Sequence, residues 1–160
     1  MRAKIPAMID ASIEAALFTT YAEMTNRIWN KNQTITGASF GGYESEEYKK
    51  LRASLGNEIG VKDLFVYGNL KKSMRPNYTK RAITVDTSVK VKSIPYTKKD
   101  GKRGKQYTAD PNLVMRGQEQ QIVGTPGKGI FEASQEEVNI SIAKAGELFA
   151  ELMTKELTTG

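Results

Sequence analysis

Two long helical patterns, one near each end of the chain, constrain the fold more than any other feature of the sequence. In residues 6–30, apolar side chains recur at spacings of three and four and form one stripe of a helix about 25 residues long, with Trp29 as a core or interface anchor. Ser134 and Glu137 form a capping box at the start of a second helix, whose apolar stripe covers 138–152. Each stripe is expected to pack on a core or on a partner helix.

The middle of the chain predicts a small sheet. Residues 80–93 alternate apolar and polar side chains, as a half-buried strand does, and a returning strand is expected within 113–124. A short helix at 46–55, capped by Ser45, and one helical turn at 70–74 are also predicted. The predicted fold class is α+β: a small antiparallel sheet packed by the N-terminal and C-terminal helices, in one domain of 160 residues.

Two extended loops are predicted in this domain. Residues 31–44 are polar and rich in glycine, whereas residues 97–106 contain no apolar side chain and carry the turn dipeptide Asp100-Gly101. The second segment is expected to be a projecting hairpin tip or a mobile loop. Both loops are candidates for contacts that become ordered only on assembly.

The chain contains no cysteine and no histidine. This absence excludes disulfides, thiolate or imidazole metal sites, and Ser-His-Asp or Cys-His catalysis. The glutamate pairs at 46–47 and 136–137 fall in first helical turns, where the positive end of the helix dipole stabilises their negative charge. Residues 125–129 lack the spacing of a phosphate loop. We therefore expect a non-enzymatic protein with no catalytic residue, metal or cofactor, and a carboxylate-, lysine- or tyrosine-based enzyme is a third alternative.

The charge is unevenly distributed. Half of the 24 basic residues fall within residues 71–105, the basic arm, whose local balance is +10, while residues 132–156 have a balance of −4. Such a molecule suits docking to copies of itself, to an acidic partner or to nucleic acid. The candidate assembly or DNA-facing contacts are the basic residues of the strand and of the following loop: Lys90, Lys92, Lys98, Lys99, Lys102, Arg103 and Lys105.

The basic arm admits two interpretations. It either neutralises phosphates or an acidic protein surface, or it is a solvated strand face that deters edge-to-edge aggregation. Tyr78, Tyr96 and Tyr107 are too sparse for a platform that stacks single-stranded bases. A basic module that binds nucleic acid non-specifically is therefore the rival to an assembly protein.

The ends of the chain carry no predicted membrane or export signal. Asp10 and Glu14 interrupt the region where a signal peptide needs its apolar run, and no segment approaches the roughly 18 to 20 apolar residues of a membrane span. We expect a soluble protein made in the cytoplasm.

Three short motifs follow the first helix in a fixed order. The first is a Gly-x-x-aromatic segment, Gly37-Ala38-Ser39-Phe40, before the short helix with Tyr48. The second is Gly68-Asn69-Leu70-Lys71-Lys72-Ser73-Met74, of the form Gly-x-Leu-x-x-Ser-hydrophobic. The third is the Pro/Gly-rich turn and aromatic of 126–131, before Ser134. In this order the chain resembles the tailed-bacteriophage virion-morphogenesis or tail-completion (neck) proteins.

The resemblance covers roughly residues 5–157 and implies a structural role without an active site. It implies a virion protein of the phage neck that completes or terminates the tail and joins it to the head, as a subunit of a ring that is six-fold by analogy. A neighbouring neck component such as a tail terminator is the alternative position. The implied partners are copies of itself, other neck or tail-tube proteins, and genomic DNA in the lumen, contacted non-specifically.

Overall fold

The computed structural model describes residues 4–60, 62, 69–92, 108–124 and 129–159. Contacts divide the chain into two compact units. Unit 1 consists of Met1–Met24, Pro76–Thr84 and Ala133–Gly160. Unit 2 consists of Thr25–Arg75 and Val85–Glu132. The single domain that the sequence predicts stays a prediction.

The described residues form five α-helices, a π-helical turn and four short strands. The helices are α1 (Ile5–Thr25), α2 (Glu46–Ser54), α3 (Asn69–Ser73), α4 (Pro111–Ile122) and α5 (Gln135–Thr159), with the π-helical turn at Asn26–Asn30. The strands are β1 (Met74–Asn77), β2 (Ala82–Val85), β3 (Val91–Lys92) and β4 (Thr108–Ala109). β1 pairs with β2, and β3 pairs antiparallel with β4. The predicted α+β class, with a small antiparallel sheet and long terminal helices, is confirmed.

In unit 1, α1 and α5 pack antiparallel. The Thr20 hydroxyl lies 2.7 Å from that of Ser141, and the Lys4 ammonium lies 2.8 Å from the Glu156 carboxylate. These contacts are separated by almost the same number of residues on both helices, so the pair runs side by side for about 24 Å at 1.5 Å per residue. The reciprocal hydrogen bonds of the predicted Ser134 capping box start α5.

Unit 2 begins where α1 changes to a π-helical turn. The Lys31 amide donates to the carbonyl of Asn26, five residues earlier, and this wider turn buries Arg27, Ile28 and Trp29 in succession. An α-helix that buries one stripe would not bury three consecutive residues. Trp29 packs at a tilt on Phe131, with ring centroids 6.4 Å apart, which confirms its predicted role as an anchor.

Two buried charged side chains hold the segment 129–132 of unit 2. The Arg27 guanidinium donates to the backbone carbonyls of Ile130 (3.0 Å) and Glu132 (2.7 Å), and to that of Gln33 (3.2 Å). The Glu119 carboxylate accepts from the amides of Ile130 and Phe131 at 3.3 and 3.2 Å. The backbone of this segment is therefore satisfied mostly by side chains, together with the Ile35 amide, which donates to the Gly129 carbonyl at 2.9 Å.

The predicted single strand over 80–93 is wrong in its middle. Asp86 begins a turn there: its Oδ1 accepts from the Ser88 amide at 3.0 Å, and its carbonyl accepts from the Val89 amide at 3.2 Å. This local side-chain bonding competes with a sheet ladder, so the strand splits into β2 and β3.

The predicted returning strand within 113–124 is also wrong, because that segment lies in and just after α4. Asp110 is the N-cap, its side chain accepts from the Asn112 amide at 2.9 Å, and Pro111 occupies the first turn. The partner of β3 is instead β4, with Val91 opposite Ala109. β1 was not predicted, and the loop predicted at 97–106 lies outside the described residues.

Candidate assembly surfaces

Two of the seven predicted contact residues, Lys90 and Lys92, are described, and both are exposed. Lys90 follows the Asp86 turn; its ammonium donates to the carbonyl of Thr87 at 3.0 Å, and its own carbonyl accepts from the Asn69 side chain at 3.0 Å. Lys92 lies on β3. The other five predicted contact residues lie outside the described residues: Lys98, Lys99, Lys102, Arg103 and Lys105.

The structure brings a second basic segment next to these lysines. α3 contacts both β3 and α4 in unit 2. As a result, the half-buried Lys71 and the exposed Lys72 and Arg75 join Lys90 and Lys92 in the same unit. The sequence assigned contact residues from Lys90 onward and did not include α3. Lys71, Lys72 and Arg75 also fall within residues 71–105 and contribute to the positive excess of the basic arm.

Asp86 is the one described carboxylate of the basic arm. Hydrogen bonds from the Ser88 hydroxyl and then from its amide lower the pKa of Asp86, and the Arg75 guanidinium at 3.7 Å acts in the same direction. Asp86 is therefore ionised well below neutral pH. Because it is committed to the turn and to Arg75, it leaves the lysines around it available to an external anion.

Unit 1 has a different surface, on which several large apolar side chains are exposed. Phe18 is 58 % exposed and Ile142 is 64 % exposed, while Met8 and Met24 are the buried large apolar residues among those described in this unit. Scattered apolar groups are normal on protein surfaces, but unit 1 exposes more large apolar side chains than it buries. The exposed ones are Ile9, Phe18, Tyr78, Ile140, Ile142 and Leu157.

A groove with a volume of about 300 Å³ lies between α1 and the tip of the β1–β2 hairpin in unit 1. We call it the α1 groove. Its apolar part comes from the half-buried Ile13 and Leu17 and from Tyr78. Its charged part comes from the exposed carboxylates Asp10 and Glu14, which lie one helical turn apart on α1. The lining is completed by Thr79 and Arg81.

Arg81 holds an unusual backbone conformation beside this groove. Its φ is +49°, in the left-handed region that costs a non-glycine residue roughly 1–2 kcal/mol. Its guanidinium lies 2.7 Å from the Asp10 carboxylate, and both side chains are well exposed. Glu14 has no ion-pair partner among the described residues. One carboxylate of the groove is thus paired, and the other is open to an external cation.

Sequence reasoning missed the α1 groove. The only sequence feature that marks Asp10 and Glu14 is that they interrupt an apolar segment. Tyr78 and Arg81 belong to a hairpin almost 70 residues further along the chain. Their approach depends on the tertiary fold of unit 1. A non-glycine residue in a left-handed turn has no reliable sequence pattern when the residue is arginine.

Within residues 4–60, 62, 69–92, 108–124 and 129–159, no three acidic side chains are grouped as a metal site requires. None of the helices in these ranges combines the length and the apolar character that crossing a membrane demands.

Comparison with protein-family models, with curated proteins and with solved structures finds no match to this chain.

Proposed function

We propose that this protein is a structural subunit of a bacteriophage neck, which completes or terminates the tail and joins it to the head as part of a homo-oligomeric ring. The observation that carries the proposal is the pair of unlike surfaces. One unit presents exposed apolar side chains and the open carboxylate of Glu14, and the other presents the lysines of α3 and β3 together with Arg75. The motif resemblance over 5–157 supports the same role.

A closed ring needs two different complementary surfaces on each copy, because one copy meets its neighbours head to tail. Unit 1 supplies apolar area for affinity, while opposite charges set register and exclude wrong partners. Binding by surface complementarity requires no catalytic residue and no cofactor. The proposed location is the virion, with other neck proteins or the tail-tube protein as further partners.

Native mass spectrometry of the full chain tests this role. A ring subunit gives one discrete species, near six times the 17.7 kDa chain for the proposed hexamer, either alone or after mixing with the tail-tube protein of the same virion. The proposal would be overturned if the chain stayed monomeric and did not bind the tail-tube protein at any concentration tested.

The rival function, non-specific binding of nucleic acid, is favoured by one observation, the exposed cations of α3 and β3. A basic module of that kind binds duplex DNA with an affinity that falls steeply with salt, because each neutralised phosphate releases counterions. Titrating labelled duplex DNA at two salt concentrations separates the functions. Tight, salt-dependent DNA binding by a chain that remains monomeric favours the rival.

A further inference from the structure

We propose that the α1 groove of one copy binds the segment 94–99 of a second copy, with Glu14 as the carboxylate that receives its lysines. This inference rests on the proposed self-assembly and specifies the contact through which it occurs.

The groove combines apolar and acidic chemistry. Ile13 and Leu17 provide aliphatic surface, and Tyr78 adds an aromatic ring that is 44 % exposed. Glu14 stands beside them on the exposed side of α1, four residues before the largely exposed Phe18. A ligand that matches this arrangement has an apolar part next to a positive charge, and the aliphatic stem of a lysine adds to the apolar contact.

The chain itself contains a segment of that composition. Ile94, Pro95 and Tyr96 are apolar or aromatic, and they are followed after one residue by Lys98 and Lys99. These five residues belong to the basic arm, whose local excess of positive charge is the largest feature of the charge distribution. Opposite charge steers such a segment to Glu14, and apolar contact retains it.

The conformation of Arg81 is a second, independent observation at this groove. Backbone strain in a non-glycine residue persists only when the surrounding structure imposes it, and strained residues cluster at binding sites. Here the left-handed turn places the Arg81 guanidinium on Asp10. Arg81 thereby neutralises Asp10. Glu14 is then the carboxylate of the groove that attracts a cationic ligand.

A charge-exchange experiment on the full chain tests the contact. Glu14→Lys alone, and Lys98→Glu with Lys99→Glu alone, should each weaken self-association about tenfold or more, because like charges facing each other cost several kcal/mol and 1.4 kcal/mol is tenfold. Mixing the two variants in equal amounts should restore assembly, because each groove then meets a segment of opposite charge. Native mass spectrometry measures the species formed.

The matched control is Glu47→Lys, which makes the same charge change at an exposed residue of α2 in unit 2, outside both predicted contact loops, and should leave assembly unchanged. Circular dichroism of each variant verifies that it is folded. Rescue when all three substitutions are on one chain, but not when the two variants are mixed, would place the segment in the groove of its own copy. That result would overturn the proposal.

A peptide titration separates failure of this contact from failure of the ring. A fluorescent peptide of residues 90–107 is added to the full chain carrying Lys98→Glu and Lys99→Glu, with and without Glu14→Lys. We expect binding that weakens about tenfold with Glu14→Lys. Equal affinity in both chains refutes the groove contact even if the wild type forms rings. A wild type that forms dimers or open chains but no closed ring, and that binds the peptide through Glu14, refutes the ring alone.

Discussion

The two units of this protein bury different numbers of large apolar side chains. Among its described residues, unit 2 encloses seven, together with the charged Arg27, Arg52 and Glu119, whose polar atoms bond to backbone groups. Unit 1 is a helix pair and a hairpin tip that buries Met8 and Met24 and leaves six other large apolar side chains exposed. The seven buried residues of unit 2 are Ile28, Trp29, Phe40, Leu70, Met74, Met115 and Ile130.

Because of this difference, folding stability and recognition depend on different units. Apolar burial contributes roughly 25 cal/mol for each Å² removed from water, so unit 2 obtains its stability within one chain. The apolar area that unit 1 leaves exposed can contribute the same free energy only when another surface covers it. Unit 1 is therefore the part whose side chains should affect assembly more than folding.

Two isoleucine truncations measure that separation, and they give the largest expected effect. Ile28→Ala removes a fully buried side chain of unit 2 and should lower the free energy of unfolding by about 2–5 kcal/mol, because it loses apolar transfer energy and leaves a cavity. Ile142→Ala, at a residue 64 % exposed in unit 1, should change it by no more than about 0.5 kcal/mol. Urea denaturation at a concentration where the chain is monomeric makes the comparison.

The same pair should reverse in an assembly assay. Ile142→Ala is expected to weaken self-association, whereas Ile28→Ala should not do so at concentrations where it remains folded. A large loss of stability from Ile142→Ala in the monomer would show that unit 1 is a folding core after all.

The buried carboxylate of unit 2 predicts the next largest effect. Glu119→Ala leaves the amides of Ile130 and Phe131 without their acceptor, and each buried unsatisfied donor costs about 1–3 kcal/mol. We expect a loss of about 3 kcal/mol in the free energy of unfolding, measured by urea denaturation.

Glu119→Gln is the matched control, because its amide oxygen retains an acceptor of nearly the same shape. It should lose less stability than Glu119→Ala. Equal losses in the two variants would mean that the volume of the side chain, and not its acceptor, holds the 129–132 segment.

Arg81→Gly should have a smaller effect, and one of opposite sign. Glycine adopts the left-handed conformation without strain, whereas the exposed Arg81–Asp10 pair that is lost contributes little. We expect the free energy of unfolding to rise by about 0.5–1 kcal/mol. Lys80→Gly, next to it in the same turn, is the control and should not stabilise. A loss of stability in Arg81→Gly would show that the ion pair outweighs the strain.

Elements whose ends are fixed by local chemistry were predictable from the sequence. The Ser134 capping box sets the start of α5, Ser45 sets that of α2, and Gly56, with a φ of +72°, follows the end of α2. In each case a side chain or a glycine satisfies the backbone within a few residues. Tertiary context does not change such positions, which is why the long terminal helix and the short one were both correct.

The errors arose where two local patterns compete. Residues 80–93 have an alternation typical of a strand, yet the Asp86 side chain offers the backbone a turn in its place. Asp110-Pro111 is a typical helix start, which we did not recognise because we expected a returning strand within 113–124. In both cases the capping or turn residue, rather than the periodicity, determined the structure.

The candidate surfaces were predictable to different degrees for a related reason. The basic arm is contiguous in sequence, so its charge can be counted without a structure, although only the tertiary contacts show that α3 lies against β3. The α1 groove is assembled from α1 and a distant hairpin, and no feature of either segment identifies the other. Sequence therefore indicated the charged half of the proposed contact and missed its counterpart.

The smallest expected effect concerns pH and the Asp86 turn of unit 2. Hydrogen bonds from Ser88 hold the pKa of Asp86 below its usual value, so the ionised form stabilises the fold. That contribution is present above the unfolded pKa and is lost as pH falls through the folded pKa.

Ser88→Ala removes the hydroxyl donor and should raise the pKa of Asp86 toward the ordinary value of 3.8, measured by NMR titration of the side-chain carboxyl. Thr87→Ala, one residue earlier, should leave this pKa unchanged. The loss of stability on acidification should become less steep in Ser88→Ala alone. If the pKa of Asp86 stays low without the Ser88 hydroxyl, the Arg75 guanidinium and the Ser88 amide hold it, and Asp86 then belongs to the charge pattern of the basic arm more than to its turn.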